Sequence, residues 1–229
     1  MLKKNLVIIP ARKGSKRIKD KNLVKVLNKP LILWTINFAK KLKRKNYDLV
    51  VTSDCHKIKK ICNKEKILFI DRPKELSNDH TSMHEVIFDT IKTLNKDYEY
   101  IILLQPTSPL RKLDLVGKSI RILNLKRNFD SLTHLAKNTS FTGKIINNRW
   151  VPDYHLNTRS QDIYGKFLPT GNLYVYRSFL YKKKIKFPKK TYGLISDNEK
   201  WVDIDSQEDL MLLNFYLTEK QNRKILLKP

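Results

Sequence analysis

The chain is poor in several features that mark common classes of protein. Among its 229 residues it has two cysteines, Cys55 and Cys62, and no apolar run approaches the roughly 18 residues of a membrane-spanning helix. The first apolar run is interrupted at Arg12 and is too short for a signal sequence. The cysteines stand seven positions apart in a segment with helical character, too far apart for a disulfide. These absences predict reduced thiols and a cytoplasmic protein with no membrane partner.

Acidic residues are also scarce. There are 22 against 47 basic ones, which gives a formal charge of +25. Such an excess favours anionic partners of three kinds: nucleic acid, anionic lipid and phosphorylated metabolites. The sequence has no recognition helix, no zinc-ligand spacing and no aromatic RNA-binding strand. Lysine, with 36 of the 47, is spread along the whole chain, so we interpret the charge as background that steers anionic substrates rather than as a nucleic-acid interface.

Short apolar runs alternate with segments of helical periodicity. This alternation predicts an α/β fold with a parallel sheet, in one domain. The predicted strands are Leu6–Ile9, Leu49–Thr52, Ile67–Ile70, Tyr100–Leu104, Leu173–Tyr176 and Trp201–Ile204. From about residue 139 to 167 the pattern becomes polar, and Asn147-Asn148 between apolar pairs predicts a hairpin. We interpret this stretch as an excursion from the main sheet.

The most informative stretch follows the first predicted strand. There the run Leu6–Ile9 breaks at Pro10 into a loop with a single glycine, Gly14. The loop fits neither the phosphate-binding pattern GxxxxGK[ST] nor the three-glycine dinucleotide fingerprint. It does concentrate six cations within ten positions: Arg12, Lys13, Lys16, Arg17, Lys19 and Lys21. Such a loop predicts a triphosphate site, because backbone N–H groups and cationic side chains can converge there on one polyanion; the alternative is a loop of solvated charges.

Two further polar stretches follow predicted strands, where ligands of doubly wound sheets bind. In Gln105–Arg111, two prolines fix a loop that carries an amide, hydroxyls and a guanidinium, suited to a polyhydroxylated ligand or simply to a proline turn. Asp203 and Asp205 share one face of a predicted strand, which favours Mg²⁺ completed by substrate phosphates over a solvated strand end. Asp209 is assigned instead to a capping box with Ser206.

The connection from Arg72 to Ser82 is long and polar, and we expect it to contact a base or ribose. Ser82 with Glu85 also matches a helix capping box, which is at least as strong an interpretation. His80, His84 and Glu85 stand in the order His-x-x-x-His-Glu, which differs from the His-Glu-x-x-His order of a zinc site.

Taken together, these motifs resemble those of the acylneuraminate cytidylyltransferase family, the CMP-sialic acid synthetases and their relatives for other nine-carbon acidic sugars. Three motifs carry the resemblance: Ile9-Pro10-Ala11-Arg12-x-Gly14-Ser15-Lys16 running to Lys21-Asn22, Leu103 to Arg111, and Asp203-Ile204-Asp205. Their order and spacing span almost the full chain.

The resemblance implies transfer of CMP from CTP to the anomeric hydroxyl of a 2-keto-3-deoxy sugar acid of sialic, legionaminic or pseudaminic type, with release of pyrophosphate. It also implies a Rossmann-like three-layer nucleotidyltransferase fold with a mainly parallel sheet. One cytidylyltransferase domain would cover residues 1–229, with a dimerisation and sugar-binding excursion at about 139–170. In those relatives the excursion crosses to a second subunit of a homodimer.

By the same matching, each motif residue has an implied role. The triphosphate clamp would be Arg12, Lys16 and Lys21; the nucleotide contacts Ser15, Asn22, Arg72 and Ser82; the sugar contacts Gln105, Arg159 and Gln161; and the Mg²⁺ ligands Asp203 and Asp205. Arg159 would meet the sugar carboxylate, in its own site or in that of the neighbouring subunit.

The sequence departs from the family pattern at Lys13, at Lys19 and in the segment Leu168–Asn172. The sister family that acts on the eight-carbon 3-deoxy-octulosonate normally lacks the Lys-Asn pair, so Asn22 favours the nine-carbon branch. That sister activity stays as one alternative, and a basic nucleic-acid-binding protein on the same fold is the alternative of a different class.

Overall fold

The computed structural model of the chain describes residues 4–42, 46–155, 157–163, 165–183, 185, 188–195 and 200–226. Its strands are β1 (Lys4–Pro10), β2 (Lys25–Val26), β3 (Lys29–Pro30), β4 (Tyr47–Ser53), β5 (Leu68–Asp71), β6 (Tyr98–Leu103), β7 (Ser131–Lys137), β8 (Gly143–Ile146), β9 (Arg149–Pro152), β10 (Phe167–Arg177) and β11 (Thr191–Ile195). Its helices are α1 (Leu31–Leu42), α2 (His56–Lys64), α3 (Met83–Leu94), α4 (Asp114–Leu125), α5 (Phe179–Lys182) and α6 (Gln207–Leu226).

The main sheet of the described residues has seven strands in the order β11-β7-β10-β6-β1-β4-β5. β1 runs parallel to both its neighbours, β4 and β6, while β10 runs antiparallel to β6 and β7. β5 continues the parallel half beyond β4, and β11 lies parallel to β7 at the other edge. The prediction of a mainly parallel sheet is therefore confirmed, with one antiparallel strand inserted into it.

Helices cover both faces of the sheet. Leu6 to Ile9 are completely buried, as a continuous apolar run in a central strand must be. Alternate residues of this run pack into different cores, one with residues of α1, α2 and α4, the other with residues of α3 and α5. These layers give the three-layer α/β arrangement that the family resemblance implies. None of the helices in the described residues combines the length and apolar character that a membrane crossing requires.

The predicted hairpin in the polar excursion is present as β8 and β9. Asn147 and Asn148 join the strands with φ values of 49° and 62°, the left-handed conformation that a two-residue hairpin turn of this kind requires. Several large apolar side chains on or beside this hairpin are exposed: Phe141, Ile145, Ile146, Trp150 and Val151.

The prediction of a last strand at Trp201–Ile204 is wrong, because these residues belong to no strand of the described sheets. The alternation behind the prediction is real, since Val202 and Ile204 are buried. They pack in a third core that includes Leu210 and Leu213 of α6. A backbone hydrogen bond of 2.9 Å from Ile204 N–H to the carbonyl of Thr107 ties the segment to the loop after β6.

The strand order reverses beside β1, because β4 and β5 lie on one side of it and β6 on the other. At such a point the loops after neighbouring parallel strands separate and leave a crevice at their carboxyl ends. The loops that follow β1, β5 and β6 all open there.

Candidate active site

A cleft of about 430 Å³ opens at the carboxyl ends of β1, β5 and β6. Its lining includes residues from the loops after all three strands and one from the segment before α6. The site residues predicted from the sequence that line it are Arg12, Ser15, Lys16, Lys21, Asn22, Arg72, Gln105 and Asp205. Arg12 and Asp205, almost at opposite ends of the sequence, thus face the same space.

Side chains hold the backbone of the cationic loop, and one of them is Ser53, whose hydroxyl donates to the carbonyl of Ala11. The N–H of Lys13 donates to Asp54 Oδ1 at 2.7 Å, and Asn22 Nδ2 donates to the carbonyl of Arg12 at 3.1 Å. Asp54 comes directly after β4, so the loop is fastened to the neighbouring strand end. Asn22, 8% exposed, fastens the far end of the loop back to its beginning. The loop therefore presents its cations from a fixed backbone.

Asp79 lies between two of those cations. Its carboxylate forms ion pairs with Arg12 Nη1 at 2.6 Å and with Lys16 Nζ at 2.5 Å. The hydrogen bond from Lys16, reinforced by that from Arg12, lowers the pKa of Asp79 below the ordinary value for an aspartate. The loop after β5 thereby supplies an anion to the loop after β1.

Asp205 forms the second bridge across the cleft. Lys21 Nζ donates to Asp205 Oδ1 at 2.9 Å and to the carbonyl of Ile204 at 2.7 Å, and Arg17 Nη1 lies 3.2 Å from Asp205 Oδ2. The side chain of Lys21 is 12% exposed, so its charge needs these acceptors. This pairing joins the first loop of the chain to the segment before its last helix.

Arg72 is a buried cation at the floor of the cleft. Its Nη2 donates to the carbonyl of Thr52 at 2.8 Å, which anchors it to the end of β4. Burial lowers the pKa of Arg72 to about 10, while the charge of Asp54 acts in the opposite direction. The guanidinium therefore sits in a partly desolvated place, where its charge acts strongly on an anionic ligand.

The loop after β6 is held from within by Arg111. The guanidinium donates to the carbonyls of Gln105 and Asn172, both at 2.5 Å, and to Thr35 Oγ1 at 3.0 Å. Burial lowers the pKa of Arg111 to about 9. This arginine thus fixes the loop that presents Gln105, while Gln105 itself lines the cleft.

A close contact between β10 and the same loop requires a glycine. Gly171 has φ +69°, and a Cβ placed on it would lie 2.2 Å from Ser108 Oγ. Ser108 is fully buried and its hydroxyl donates to Asp203 Oδ1 at 3.1 Å. The segment of Asp203, the loop of Gln105 and strand β10 are therefore packed together behind the cleft.

Comparison with known proteins shows which family this chain belongs to. The sequence profile of a family described as Cytidylyltransferase matches residues 6–228. The chain is 31% identical to the pseudaminic acid cytidylyltransferase of Campylobacter jejuni serotype O:2, covering 90% of this chain and 93% of that protein. The chain belongs to the cytidylyltransferase family. The resemblance inferred from its motifs is thereby confirmed.

Longer relatives share only part of their length with this family member. An N-acylneuraminate cytidylyltransferase of Streptococcus agalactiae serotype V is 27% identical over 96% of the chain, which spans 56% of that relative. Among solved structures, a CMP:2-keto-3-deoxy-manno-octonic acid synthetase complexed with CTP matches with a TM-score of 0.68 at 15% identity, over 95% of this chain and 99% of that one. At this identity the structural likeness shows the fold, and it agrees with the fold that the family resemblance implies.

Four of the residues given site roles from the family motifs lie outside the cleft lining. Ser82 caps α3: its hydroxyl accepts from Glu85 N–H and its own N–H donates to Glu85 Oε2 at 2.8 Å. Asp203 contacts Ser108 behind the cleft. Arg159 and Gln161 lie in the excursion, where Arg159 Nε forms an ion pair with Asp162 at 2.7 Å. The roles that the family resemblance gives these four residues stay predictions.

Sequence reasoning missed part of the lining. Additional polar residues that face the cleft are Arg17, Asn78, Asp79, Thr81 and Thr107. Arg17 is one of the predicted loop cations, and Asp79 and Thr81 lie in the connection that we expect to contact a base or ribose. The sequence does not predict that Asp79 pairs with cations of the loop after β1. The signal that singles out Asp79 is its charge, because an acidic residue is unusual in a loop expected to face a nucleotide.

The donor set before α6 suits a magnesium ion only in part. Among the described residues no group of three or more His, Cys, Asp or Glu side chains forms a complete metal cage. Asp205 opens into the cleft as an acceptor-only group, with Asp203 two residues before it. Mg²⁺ is commonly held by one or two carboxylates with substrate phosphates and water, so Asp205 fits an ion that arrives with a nucleotide, whereas Asp203 is bonded to Ser108 outside the cleft lining.

Proposed function

We propose that this chain transfers CMP from CTP to the anomeric hydroxyl of a nine-carbon 2-keto-3-deoxy sugar acid, of sialic, legionaminic or pseudaminic type, and releases pyrophosphate. The observation that carries the proposal is the cleft itself, where the cationic loop, Gln105 and Asp205 face one space. Relatives named for N-acylneuraminate and pseudaminic acid support the sugar class. The free, buried cysteines of the described structure support a reducing, cytoplasmic setting.

The chemistry rests on charge and position. Attack of the sugar hydroxyl on the α-phosphorus forms a P–O bond to the sugar and breaks the P–O bond to the β-phosphate. Pyrophosphate leaves, and the hydroxyl proton passes to the solvent. Arg12, Lys16 and Lys21 neutralise the charge that gathers on the leaving phosphates, which is the main contribution a protein makes to such a reaction. Their fixed backbone holds them beside those phosphates, so only side-chain ion pairs have to exchange.

The remaining residues orient the two substrates. Ser15, Asn22 and Arg72 lie where they can contact the nucleotide, and Gln105 presents an amide to the sugar. Asp203 and Asp205 are the residues that would hold Mg²⁺, which when bound supplies positive charge to the phosphate oxygens. In that role Asp205 would leave its contacts with Lys21 and Arg17, and both cations would then be available to the phosphates.

The direct assay is pyrophosphate release from CTP with a panel of acids: sialic, legionaminic, pseudaminic and eight-carbon 3-deoxy-octulosonic. We expect release with at least one nine-carbon acid. Release with the eight-carbon acid alone would favour the alternative activity, and no release with any acid would contradict the proposal.

A matched pair of variants tests whether turnover depends on the cleft. Lys16→Ala should slow turnover on the order of a hundredfold, whereas Lys19→Ala, in the same loop but outside the lining, should not.

The nucleic-acid alternative is tested by gel-shift titration. That alternative alone expects strong DNA or RNA binding with a steep dependence on salt, because many phosphates would be neutralised at once. We expect the wild-type protein to bind DNA and RNA weakly, and variants of the cleft residues to bind them equally weakly.

The metal assignment has its own test. Asp205→Asn removes the charge that Mg²⁺ needs and should abolish magnesium-supported turnover. The variant should stay folded with a lower unfolding midpoint, because its amide oxygen can still accept from Lys21 Nζ but the charge that faces this nearly buried cation is lost. Rates measured over a magnesium titration check this, and wild-type rates in the variant would refute the assignment.

A further inference from the structure

The carboxylate of Asp79 occupies a position suited to a phosphate group. It lies 2.6 Å from Arg12 Nη1 and 2.5 Å from Lys16 Nζ, at the lining of the cleft. Each of its two oxygens contacts a different cation, which is also how a phosphate oxygen pair engages two basic side chains. Both cations belong to the loop that the proposed function assigns to the triphosphate.

The loop that carries Asp79 has its own internal bonds. Asn78 Oδ1 accepts from the N–H groups of His80 and Thr81, both at 2.9 Å, and Asn78 Nδ2 donates to the carbonyl of Glu75 at 2.6 Å. Asp79 therefore projects from a shaped turn rather than from a free chain. Its side chain is 35% exposed and that of Lys16 is 80% exposed, so water and ligands reach the pair.

A triphosphate and Asp79 compete for the same two cations. Their charges have the same sign, so both cannot contact Arg12 and Lys16 closely without strong repulsion. The ion pairs are solvent-accessible and of modest strength, so a polyanion with several charges can displace one carboxylate. We propose that Asp79 is an internal substitute for phosphate: it keeps Arg12 and Lys16 paired in the nucleotide-free protein, yields them to the triphosphate, and takes them back as pyrophosphate leaves.

This inference rests on the proposed function and adds a positioning residue to it. It also predicts the direction in which loss of Asp79 changes anion binding, and a merely structural role predicts the opposite direction. If Asp79 only held the site in shape, its loss would weaken anion binding; if it is exchanged for phosphate, its loss strengthens binding.

Titration calorimetry with inorganic tripolyphosphate tests the exchange without a base or ribose to add other contacts. Asp79→Asn, which keeps the size of the side chain, should bind tripolyphosphate about three- to tenfold more tightly than wild type, as expected when two weak ion pairs no longer compete. Pyrophosphate should inhibit its turnover more strongly by a similar factor. Glu75→Gln removes one charge from the same loop without touching the cleft lining and should behave as wild type.

Hydrogen exchange gives an independent readout. Tripolyphosphate should speed exchange of the amides from 77 to 81 in wild type, because the loop loses its anchor, and should leave them unchanged in Asp79→Asn. Two results would contradict the displacement of Asp79 by phosphate: tripolyphosphate binding by Asp79→Asn that is equal to or weaker than in wild type, or hydrogen exchange in wild type that tripolyphosphate leaves unchanged. CTP turnover would still support the proposed function in either case. Failure of wild type to bind either tripolyphosphate or CTP would instead contradict the proposed function as well.

Discussion

At the scale of single residues, the site depends on side chains that never face the cleft. Arg111 donates to the carbonyl of Gln105, and Ser108 donates to Asp203, so the loop after β6 is fixed from behind. Gly171 allows this arrangement because it leaves room for the Ser108 hydroxyl. Any group added at this position disturbs the whole assembly that presents Gln105.

We therefore expect Gly171→Ala to lower the free energy of unfolding by about 2–4 kcal/mol, from a left-handed backbone and a steric overlap together. Gly165→Ala is the matched control: its φ is +75°, but nothing lies within 4 Å of the added Cβ. Gly165→Ala should lower the free energy of unfolding by about 1–2 kcal/mol, because only the left-handed backbone conformation is strained. Urea unfolding of both variants checks this, and equal losses would show that the Ser108 contact does not matter.

Residues with local signals were predictable from the sequence, and those with distant partners were not. Arg12, Lys16 and Lys21 stand out because an apolar run, a proline and a cluster of cations follow one another. Asp79 acquires its place only when the loops after β1 and β5 meet, which no spacing along the chain reveals. The inward direction of Arg111 is likewise set by partners in other elements.

At the scale of elements, the ends of strands and helices decide which side chains reach the cleft. The pattern at Trp201–Ile204 predicted a strand because alternate residues are apolar, and alternation reports only that one face is buried. Here that face packs on α6, and the backbone has a single bond to the loop after β6 instead of a strand ladder. β7 and β11 were not predicted, since Thr133 and His134 interrupt the apolar positions of β7 and Gly193 interrupts the short β11.

Helix α3 offers a prediction about Ser82, which the family resemblance assigns to the nucleotide. Its hydroxyl is engaged with Glu85 in a capping box. Ser82→Ala should therefore lower the free energy of unfolding by about 1 kcal/mol and leave the affinity for CTP unchanged. Ser82→Thr, which keeps a capping hydroxyl, should retain most of the stability. Thermal unfolding and CTP titration check both variants; a loss of CTP affinity at full stability would favour the nucleotide contact instead.

At the scale of the whole molecule, the excursion exposes an apolar surface that a single chain leaves uncovered. Ile145 is 75% exposed and Trp150 55% exposed on the hairpin of β8 and β9. Burying such side chains stabilises an assembly, and the family resemblance implies a homodimer formed through the excursion. We propose the same assembly here, with Arg159 close to the contact.

Ile145→Asp should then convert a dimer into a 27.1 kDa monomer in sedimentation experiments, because a charge replaces a large apolar side chain in the interface. Leu125→Asp is a suitable control, as Leu125 is 78% exposed on α4, outside the excursion. Turnover should fall with dissociation if Arg159 serves the neighbouring site. A wild-type protein that sediments as a monomer at all concentrations would contradict the dimer.

The central claim is that one cleft brings the α-phosphorus of CTP to a sugar hydroxyl. Phosphorus NMR of the reaction with CTP and a nine-carbon sugar acid tests it most directly, because it identifies which bond breaks. We expect the three CTP signals to be replaced by one phosphodiester signal and pyrophosphate in equal amounts. Formation of CDP and inorganic phosphate, or CTP that persists with every acid, would contradict it.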